Sequence, residues 1–398
     1  MRIVHWDEMF HPDFGYQINV LTKYQVNQGH EVIIVTSQNI ENHPVFKGFA
    51  ENTDIEKSDE LFTEKYRVRI IRVPIYGVYS GRVIYKPGYV KRVEDLNPDI
   101  MFCHTHDTFS GIYFTLHSKK SKFPIIFDSH MLEMASANPF NKVYRFLFKK
   151  IVTPAIVKNK NIIIKTQDDD YVNSCLGIPY EQTPYISFGT DTELFTPNSD
   201  MNIKIRNELD IDLDAFVITY AGKLKQSKGI ELLVDTVLGK IESERNIVFV
   251  IIGNPNDEKG YEAEEKMKQS ENTIIRFSTQ KYEDLTKFYQ ISDLCLFPKQ
   301  CSLSFFDVQS CGVPVLSEGN NINSERVGHN NGFTFLEDSV EDFRRMIQLI
   351  TQIKQEEYNE MKKASRDYII ANFDYKEIAE RYTDILVEEH NRFHNNLE

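Results

Sequence analysis

The sequence predicts an α/β protein of two parallel-sheet domains that face each other across a cleft. Three observations lead there. The chain has 398 residues, too many for one ordinary core. Each half alternates apolar strand-like runs with helix-like segments, the pattern of parallel strands joined by right-handed crossovers. Between the halves, residues 187–200 (SFGTDTELFTPNSD) carry glycine, proline, threonine and aspartate with little periodicity and read as a link. The expected domains are residues 1–190 and 200–373, with a last helix over 374–398 that can return to the first domain.

In the first half, residues 2–6 (RIVHW) read as a strand and residues 7–16 as a loop holding Pro12 and Gly15. Gln17–Gln28 reads as a helix, with Ile18, Val20, Leu21, Tyr24 and Val26 at helix-like spacing, and Glu31–Thr36 (EVIIVT) as the next strand. Gly15 sits at the strand-to-helix switch, where a phosphate can approach bare backbone; an ordinary βα loop is the competing explanation. Residues 41–65 read as a polar loop, Arg67–Val73 as a strand, and Tyr76–Val90 as a loop-rich surface for a partner.

Asp99–Cys103 is a strand opening into His104-Thr105-His106-Asp107, and Ile125–Phe127 is a strand opening into Asp128-Ser129-His130. Ligands of open parallel sheets bind beyond the carboxyl ends of the strands, so both polar clusters are expected at one cleft. His104 and His106 are two apart on one side of an extended chain, and Asp128 and His130 repeat that spacing. Three of them suffice for a zinc site, but no pair is held on a helix and no outer partner can be assigned, so no metal is expected. His104 reads as a strand-end histidine bonded to backbone. His130 is the residue assigned to chemistry.

Asn138–Lys165 contains seven Lys or Arg and no acid. Residues 142–160 are expected to lie against an anionic membrane surface, and a core-facing helix with a solvated basic rim is the competing reading. Asn161–Thr166 is a strand followed by a helix from Gln167, and Tyr185–Ser187 is a short strand.

The second half repeats the logic. Phe216–Tyr220 is a strand, residues 221–229 (AGKLKQSKG) a loop with Lys223, Lys225 and Lys228, and Ile230–Leu238 a helix. Asn246–Gly253 (NIVFVIIG) has the composition of a strand covered on both faces. Thr273–Phe277 is a strand and Tyr282–Ile291 a helix. Phe297–Leu316 (FPKQCSLSFFDVQSCGVPVL) then runs strand end, polar loop, helix start, breaker, strand. A helix start beyond a strand end offers free N–H groups and the positive end of the helix dipole. Ser304-Phe305-Phe306-Asp307 reads as a capping box, so Asp307 lies in the first turn, and capping its own helix is its competing role. Three helices close the chain, over residues 339–353, 358–372 and 373–391.

Composition narrows the function. A net charge of −13 argues against a general nucleic-acid binder. The five cysteines, Cys103, Cys175, Cys295, Cys301 and Cys311, form no CxxC and fit reduced thiols; Cys301 lacks a neighbouring histidine in sequence to activate it. The N-terminus goes straight into a strand, and no run approaches the roughly 20 apolar residues of a spanning helix, so a cytoplasmic protein that can touch the inner face of the membrane is expected. Lys223 and Lys228 share one βα loop beside Gly222 and Gly229. With the 302–304 amides they make a diphosphate site that needs no metal and that stabilises a departing diphosphate.

At these residues the chain resembles the family-4 retaining glycosyltransferases of the GT-B fold, two Rossmann-like domains around a cleft. GKLKQSKGIELLVDT resembles the family's G-R-L-x-x-x-K-G segment, with Lys223 and Lys228 at the two basic positions. DLCLFPKQCSLSFFDVQSCGVPVL resembles the E-x7-E segment and the C-G-x-P-V after it, with Asp307 at the second acid. SFGTDTELFTP resembles N-G-V-D-x-x-x-F-x-P, and QGHEVIIVTS resembles R-G-H-E-V-x-V-x-T. FDSH places His130 at the family's cleft-lining histidine, and Gly15 falls in its Gly-rich donor loop. Three positions depart from the pattern. Lys223 stands for Arg, Lys299 stands where the first Glu is expected, and Tyr16 replaces a second glycine.

The resemblance implies a metal-independent retaining transfer, without a cofactor, from a nucleotide-diphosphate sugar to a hydroxyl of a saccharide or lipid-linked acceptor. Lys223, Lys228 and the amides of Ser302, Leu303 and Ser304 are expected to hold the diphosphate. Asp307 is expected to hold the ribose, Thr279 and Gln280 the base, and Gly15 and Tyr16 the donor loop. His130 is expected to touch the transferred sugar, and His106 and Asp107 to face the acceptor. Richness in isoleucine, lysine and asparagine points to an AT-rich bacterial genome, and surface-polysaccharide assembly is the setting that the resemblance implies. The alternatives are a nucleotide-sugar epimerase on the same fold and a non-catalytic sugar-nucleotide-binding scaffold.

Overall fold

The structure, a computed structural model, describes residues 1–38, 54–79, 81–131, 140–167, 169–299 and 302–395. The chain forms two compact units. One takes the chain to Phe188 and again from Tyr375; the other runs from Gly189 to Asp374.

The first unit starts with β1 (Arg2–Trp6), α1 (Gln17–Asn27), β2 (Glu31–Ser37), α2 (Ile55–Tyr66) and β3 (Arg69–Val73). A hairpin of β4 (Ile75–Tyr79) and β5 (Arg82–Tyr85) and the short α3 (Tyr89–Glu94) follow. Then come β6 (Ile100–Cys103), α4 (Phe109–His117), β7 (Ile125–Ser129), α5 (Asn141–Asn159) and β8 (Ile163–Lys165). Six strands make one parallel sheet in the order β3-β2-β1-β6-β7-β8. Its strands are apolar on both faces because both faces are covered: Ile3, Val4, Ile33, Ile34, Met101, Phe102, Ile126 and Phe127 are buried.

Four expectations are corrected in this unit. Within 41–65, the described part is not loop: Asp54 caps Lys57 and starts α2, whose Phe62 is buried against Phe10. Tyr76–Val90 is not loop-rich but a hairpin, with Val83 and Tyr85 turned into the core. After β8 the chain makes one wide turn at Tyr171–Cys175 in place of a regular helix. Tyr185–Ser187 contributes a single bridge, Lys165 to Tyr185, in place of a strand.

The second unit holds α6 (Ser199–Glu208), β9 (Phe216–Ala221), α7 (Ile230–Leu238), β10 (Ile247–Ile252), α8 (Glu258–Met267), β11 (Thr273–Phe277) and α9 (Leu285–Ile291). It continues with β12 (Leu294–Phe297), α10 (Ser304–Ser310), β13 (Val315–Glu318), α11 (Asn321–Arg326), β14 (Gly332–Phe335), α12 (Val340–Thr351) and α13 (Gln355–Phe373). Its sheet is also six-stranded and parallel, in the order β11-β10-β9-β12-β13-β14. β10 is buried along its whole length. The last helix, α14 (Tyr375–Asn395), belongs to the first unit, where it packs on α1 with Thr383 Oγ1 2.7 Å from Gln28 Oε1 and Tyr382 fully buried.

In each sheet the strand order reverses once, between β1 and β6 and between β9 and β12. Successive crossovers leave in opposite directions there, which opens a crevice at the carboxyl ends.

Candidate functional site

In the second unit, the loop after β9 is tied to the loop after β10. The Leu224 amide donates to the Asn254 carbonyl at 3.0 Å, the Asn256 amide to the Leu224 carbonyl at 3.0 Å, and the Gln226 amide to Asp257 Oδ2 at 2.9 Å. Leu224 is fully buried, which leaves Lys223, Lys225 and Lys228 half-buried around it. The Tyr220 hydroxyl donates to the Lys223 carbonyl at 3.1 Å and fixes the start of the loop. Burial, and then the charges of Lys225 and Lys228, lower the Lys223 ammonium below its ordinary range. Cations close enough to press on one another make a place for an anion.

Gly229 ends this loop at φ +72°, and a Cβ there would stand 2.8 Å from Lys299 Cγ and 2.9 Å from Pro298 Cβ. Only glycine lets the two loops flanking the strand-order reversal touch. Lys299 is not a bare cation in this crevice. Its Nζ lies 2.8 Å from Oε1 of the buried Glu318, at the end of β13, and also bonds Asp338. Burial works against the Lys299 ammonium, but Asp338 and Glu318 hold its pKa above the usual range.

Beyond Lys299, α10 begins at Ser304, and the expected capping box is corrected. Leu303 precedes the helix without a side-chain cap, and the Ser304 hydroxyl pairs with the Ser302 hydroxyl at 2.6 Å. The Phe305 and Phe306 amides take the Ser302 and Leu303 carbonyls, so the earlier amides, those of Ser302, Leu303 and Ser304, lie outside the helix's own ladder. Cys301 lies outside the described residues.

Asp307 is in the first turn but buried. Its Oδ1 accepts from Thr190 Oγ1 at 2.5 Å and from the Tyr282 hydroxyl at 3.1 Å. Burial, aided by the nearby Asp191, lifts its pKa to about 7 against the pull of those two bonds. Thr279 and Gln280 follow β11, at the edge of the sheet. The Thr279 hydroxyl and amide are paired with Asn254, each at 3.1 Å, and Gln280 Nε2 donates to the Ser278 carbonyl at 2.9 Å.

In the first unit, the chain ends of β6 and β7 meet at Asp128. Its Oδ1 accepts from the Thr105 amide at 2.7 Å, while Oδ2 lies 2.8 Å from His104 Nδ1 and 3.1 Å from His130 Nε2. His104 Nε2 lies 3.0 Å from His5 Nδ1, and His5 Nε2 lies 2.7 Å from Gln25 Oε1. The result is a buried chain of polar groups from Gln25 to His130. Burial would raise the Asp128 pKa, but His130 and His104 outweigh it and hold the carboxyl well below the usual carboxylate range. Burial likewise opposes the His130 cation, yet Asp128 raises its pKa above the ordinary histidine value. Burial, then the charge of His104, pushes His5 down to about 3. His130 ends the chain half-buried and stacks on Phe188 at 5.3 Å between ring centroids. His104, Asp128 and His130 bring one donor atom each within 4.8 Å of one another, so among the described residues they are the group able to hold a metal ion. Here Asp128 Oδ2 already joins the two imidazoles.

Three further expectations are corrected. Thr105 has φ +75°, which breaks the extended chain and turns His104 and His106 apart. His104 bonds a carboxylate and a second imidazole, not backbone. His106 is fully buried, edge-on to Phe148 with Nδ1 3.1 Å from the Asp128 carbonyl oxygen, so it offers no face to an acceptor. Asp107 is buried too, and its Oδ2 accepts from Arg82 at 3.0 Å. Gly15 is half-buried ahead of α1. Tyr16 starts that helix, its amide donating to Asn19 Oδ1 at 3.3 Å and its ring exposed.

Sequence reasoning passed over Thr190, Tyr282, Glu318 and His5. Glu318 was readable as an acid ending an apolar strand. The other three act only through partners far along the chain, as Thr190 does on Asp307 across 117 positions.

Comparison with known proteins agrees with this geometry. Residues 16–194 match the family model described as Glycosyltransferase Family 4, and residues 201–368 the one described as Glycosyl transferases group 1. The lipopolysaccharide 1,2-N-acetylglucosaminetransferase of Salmonella typhimurium is 24% identical over 224 residues, 52% of this chain and 57% of that enzyme. The D-inositol 3-phosphate glycosyltransferase of Corynebacterium aurimucosum is 22% identical over 288 residues, 65% of this chain and 66% of that enzyme. The chain thus spans between about half and two thirds of the length of these relatives. Among solved structures, a glycosyltransferase from Rickettsia africae superposes with a TM-score of 0.72 at 15% identity, covering 98% of both chains. HepE of Anabaena, solved with UDP and glucose, gives 0.71 at 14% identity, covering 98% of this chain and 100% of that one. Two family segments that together run from residue 16 to residue 368, on two parallel-sheet units of this topology, settle the assignment: the chain belongs to the family-4 glycosyltransferases of the GT-B fold.

Proposed function

We propose that the protein moves a sugar from a nucleotide-diphosphate sugar to a hydroxyl of a saccharide or lipid-linked acceptor, with retention at the anomeric carbon and without a metal or other cofactor. The observation that carries the reading is the lysine-rich loop after β9, held at the strand-order reversal by Leu224 and by the Gly229–Lys299 contact. Lys223, Lys228 and the amides of Ser302, Leu303 and Ser304 bind the diphosphate and neutralise the charge that grows on it as the anomeric bond breaks. The leaving phosphate oxygen takes the acceptor hydroxyl's proton on the same face, so no side chain serves as the base. Asp307 meets the ribose, Thr279 and Gln280 the base, and His130 the transferred sugar. The Anabaena HepE structures hold UDP and UDP-glucose, which makes UDP-sugars the first donors to try. The Salmonella relative is named as a lipopolysaccharide N-acetylglucosaminetransferase, which supports a role in surface-polysaccharide synthesis.

The test is incubation with a panel of sugar nucleotides, reading nucleotide release with and without saccharide acceptors. Acceptor-dependent release that disappears in Lys228→Ala supports the reading. A free sugar nucleotide with an altered sugar assigns an epimerase, and binding without turnover assigns a scaffold.

A further inference from the structure

Helices α4 and α5 are apolar on both sides. The crossovers from β6 to β7 and from β7 to β8 run the same way along the sheet, so both helices cover the same sheet face, and they pack side by side. Their inner sides, Phe114 on α4 and Phe148, Val152 and Ile156 on α5, belong to the core. At about 100° per residue the opposite side of α5 carries Val143, Phe146, Leu147, Ile151 and Val157. These are exposed, Phe146 at 60% and Ile151 at 57%. The opposite side of α4 carries Phe109, Tyr113 and Leu116 at i, i+4 and i+7, also exposed. The core-facing alternative for the basic segment therefore accounts for one side of α5 only.

The charge carried by these two helices and the segments that follow them is of one sign. No Asp or Glu occurs from Thr108 to Phe127 or from Asn141 to Gln167. Lys142, Lys149, Lys150 and Lys158 on α5, and Lys119, Lys120 and Lys122 after α4, are all exposed. This basic, apolar island sits on a chain of net charge −13. A second copy presenting the same face would set lysines against lysines.

We propose that the outer faces of α4 and α5 form a docking surface for an anionic lipid bilayer, the apolar side chains entering the headgroup layer and the lysines pairing with lipid phosphates. No helix of the described residues is long and apolar enough to cross a membrane, so the contact lies in the plane of the surface. The inference rests on these two helix faces and not on the reading of the donor site.

The experiment is co-sedimentation of the whole chain with vesicles of phosphatidylcholine alone or with added phosphatidylglycerol, at low and high salt. Binding is expected only with phosphatidylglycerol and is expected to weaken with salt. Replacing Lys142, Lys150 and Lys158 by Gln should lower the partition coefficient about fivefold per lysine. Phe146→Ser with Leu147→Ser should lower it at least about tenfold while thermal melting is unchanged. If the serine pair alters melting, the glutamine variant decides, because its residues are exposed. Equal binding to neutral vesicles, no binding to anionic ones, or binding untouched by the glutamines overturns the proposal. So does dimerisation in the absence of vesicles that the serine pair abolishes, which would give the face to a second copy.

Discussion

Asp128 and His130, two residues apart at the end of β7, face each other with Oδ2 3.1 Å from Nε2. The carboxylate is fully buried and shares that oxygen with His104, so each imidazole steadies it and it steadies both. Burial opposes the His130 cation, but Asp128 raises the His130 pKa above the ordinary histidine value, at the mouth of the first sheet beside Phe188.

The first prediction follows from that pair. Asp128→Asn removes the largest of the charges that raise the His130 pKa and leaves burial, which lowers it, opposed only by the smaller pulls of Asp7 and Asp107. The His130 titration, followed by NMR, should move down. The sign for stability is set by the same shift. With its folded pKa above the unfolded value, His130 contributes stability that is fully present below the unfolded pKa of about 6.5 and is lost as pH rises through the folded one. That loss, read by denaturant melts across the window, should shrink in the variant. An unmoved His130 titration would remove Asp128 as its partner.

Lys223 and Lys228 give the second prediction. Each replaced by Ala should weaken UDP binding about tenfold or more by calorimetry, since a charge-assisted bond is worth about 1.5–3 kcal/mol. Lys223→Arg should keep or improve affinity, because a fork matches phosphate oxygens better than a point charge. Equal UDP affinity in the parent and in both alanine variants would place the diphosphate elsewhere.

Much of the fold was legible because fully covered strands are apolar runs; Ile247–Ile252 needs no partner to be recognised. The lysine loop was legible because its glycines and lysines are adjacent in sequence. What escaped depends on a dihedral or on distance. Thr105 looks like one residue of an extended run, yet its φ of +75° decides that His106 points inward and His104 toward Asp128. The hairpin at 75–85 carries glycines and tyrosines that suggest loop, and only pairing of Val78 with Val83 makes it a strand pair. The hydroxyls that hold Asp307 come from 25 and 117 residues away and leave no local trace.

Asp307 gives the third prediction. With its folded pKa lifted to about 7, the protein keeps a proton there that the unfolded chain has released above about pH 4. Stability should therefore fall as pH rises from about 4 to 7, by up to about 1.4 kcal/mol per unit, and level off above. Asp307→Asn should flatten that slope in chemical denaturation while weakening nucleotide binding. A slope unchanged by Asn would show that Asp307 is ionised throughout.

The fourth prediction concerns Lys299, the position where the family pattern has an acid. The buried Glu318 and the exposed Asp338 both bond its ammonium, and Asp338's own amide donates to Glu318 Oε1 at 3.1 Å. Restoring the family residue by Lys299→Glu would set a third carboxylate against these two. Because Glu318 would be left buried without its cation, the cost should be about 3–5 kcal/mol, read by denaturant unfolding. The exchange Lys299→Glu with Glu318→Lys returns one opposite pair and should recover part of the loss, where independent sites would simply add. Lys299→Met tests the same point without repulsion: it should destabilise less than Glu but still leave Glu318 unpaired. If Lys299→Glu is as stable as the parent, the lysine is not what holds Glu318, and the departure from the family pattern would need another cause.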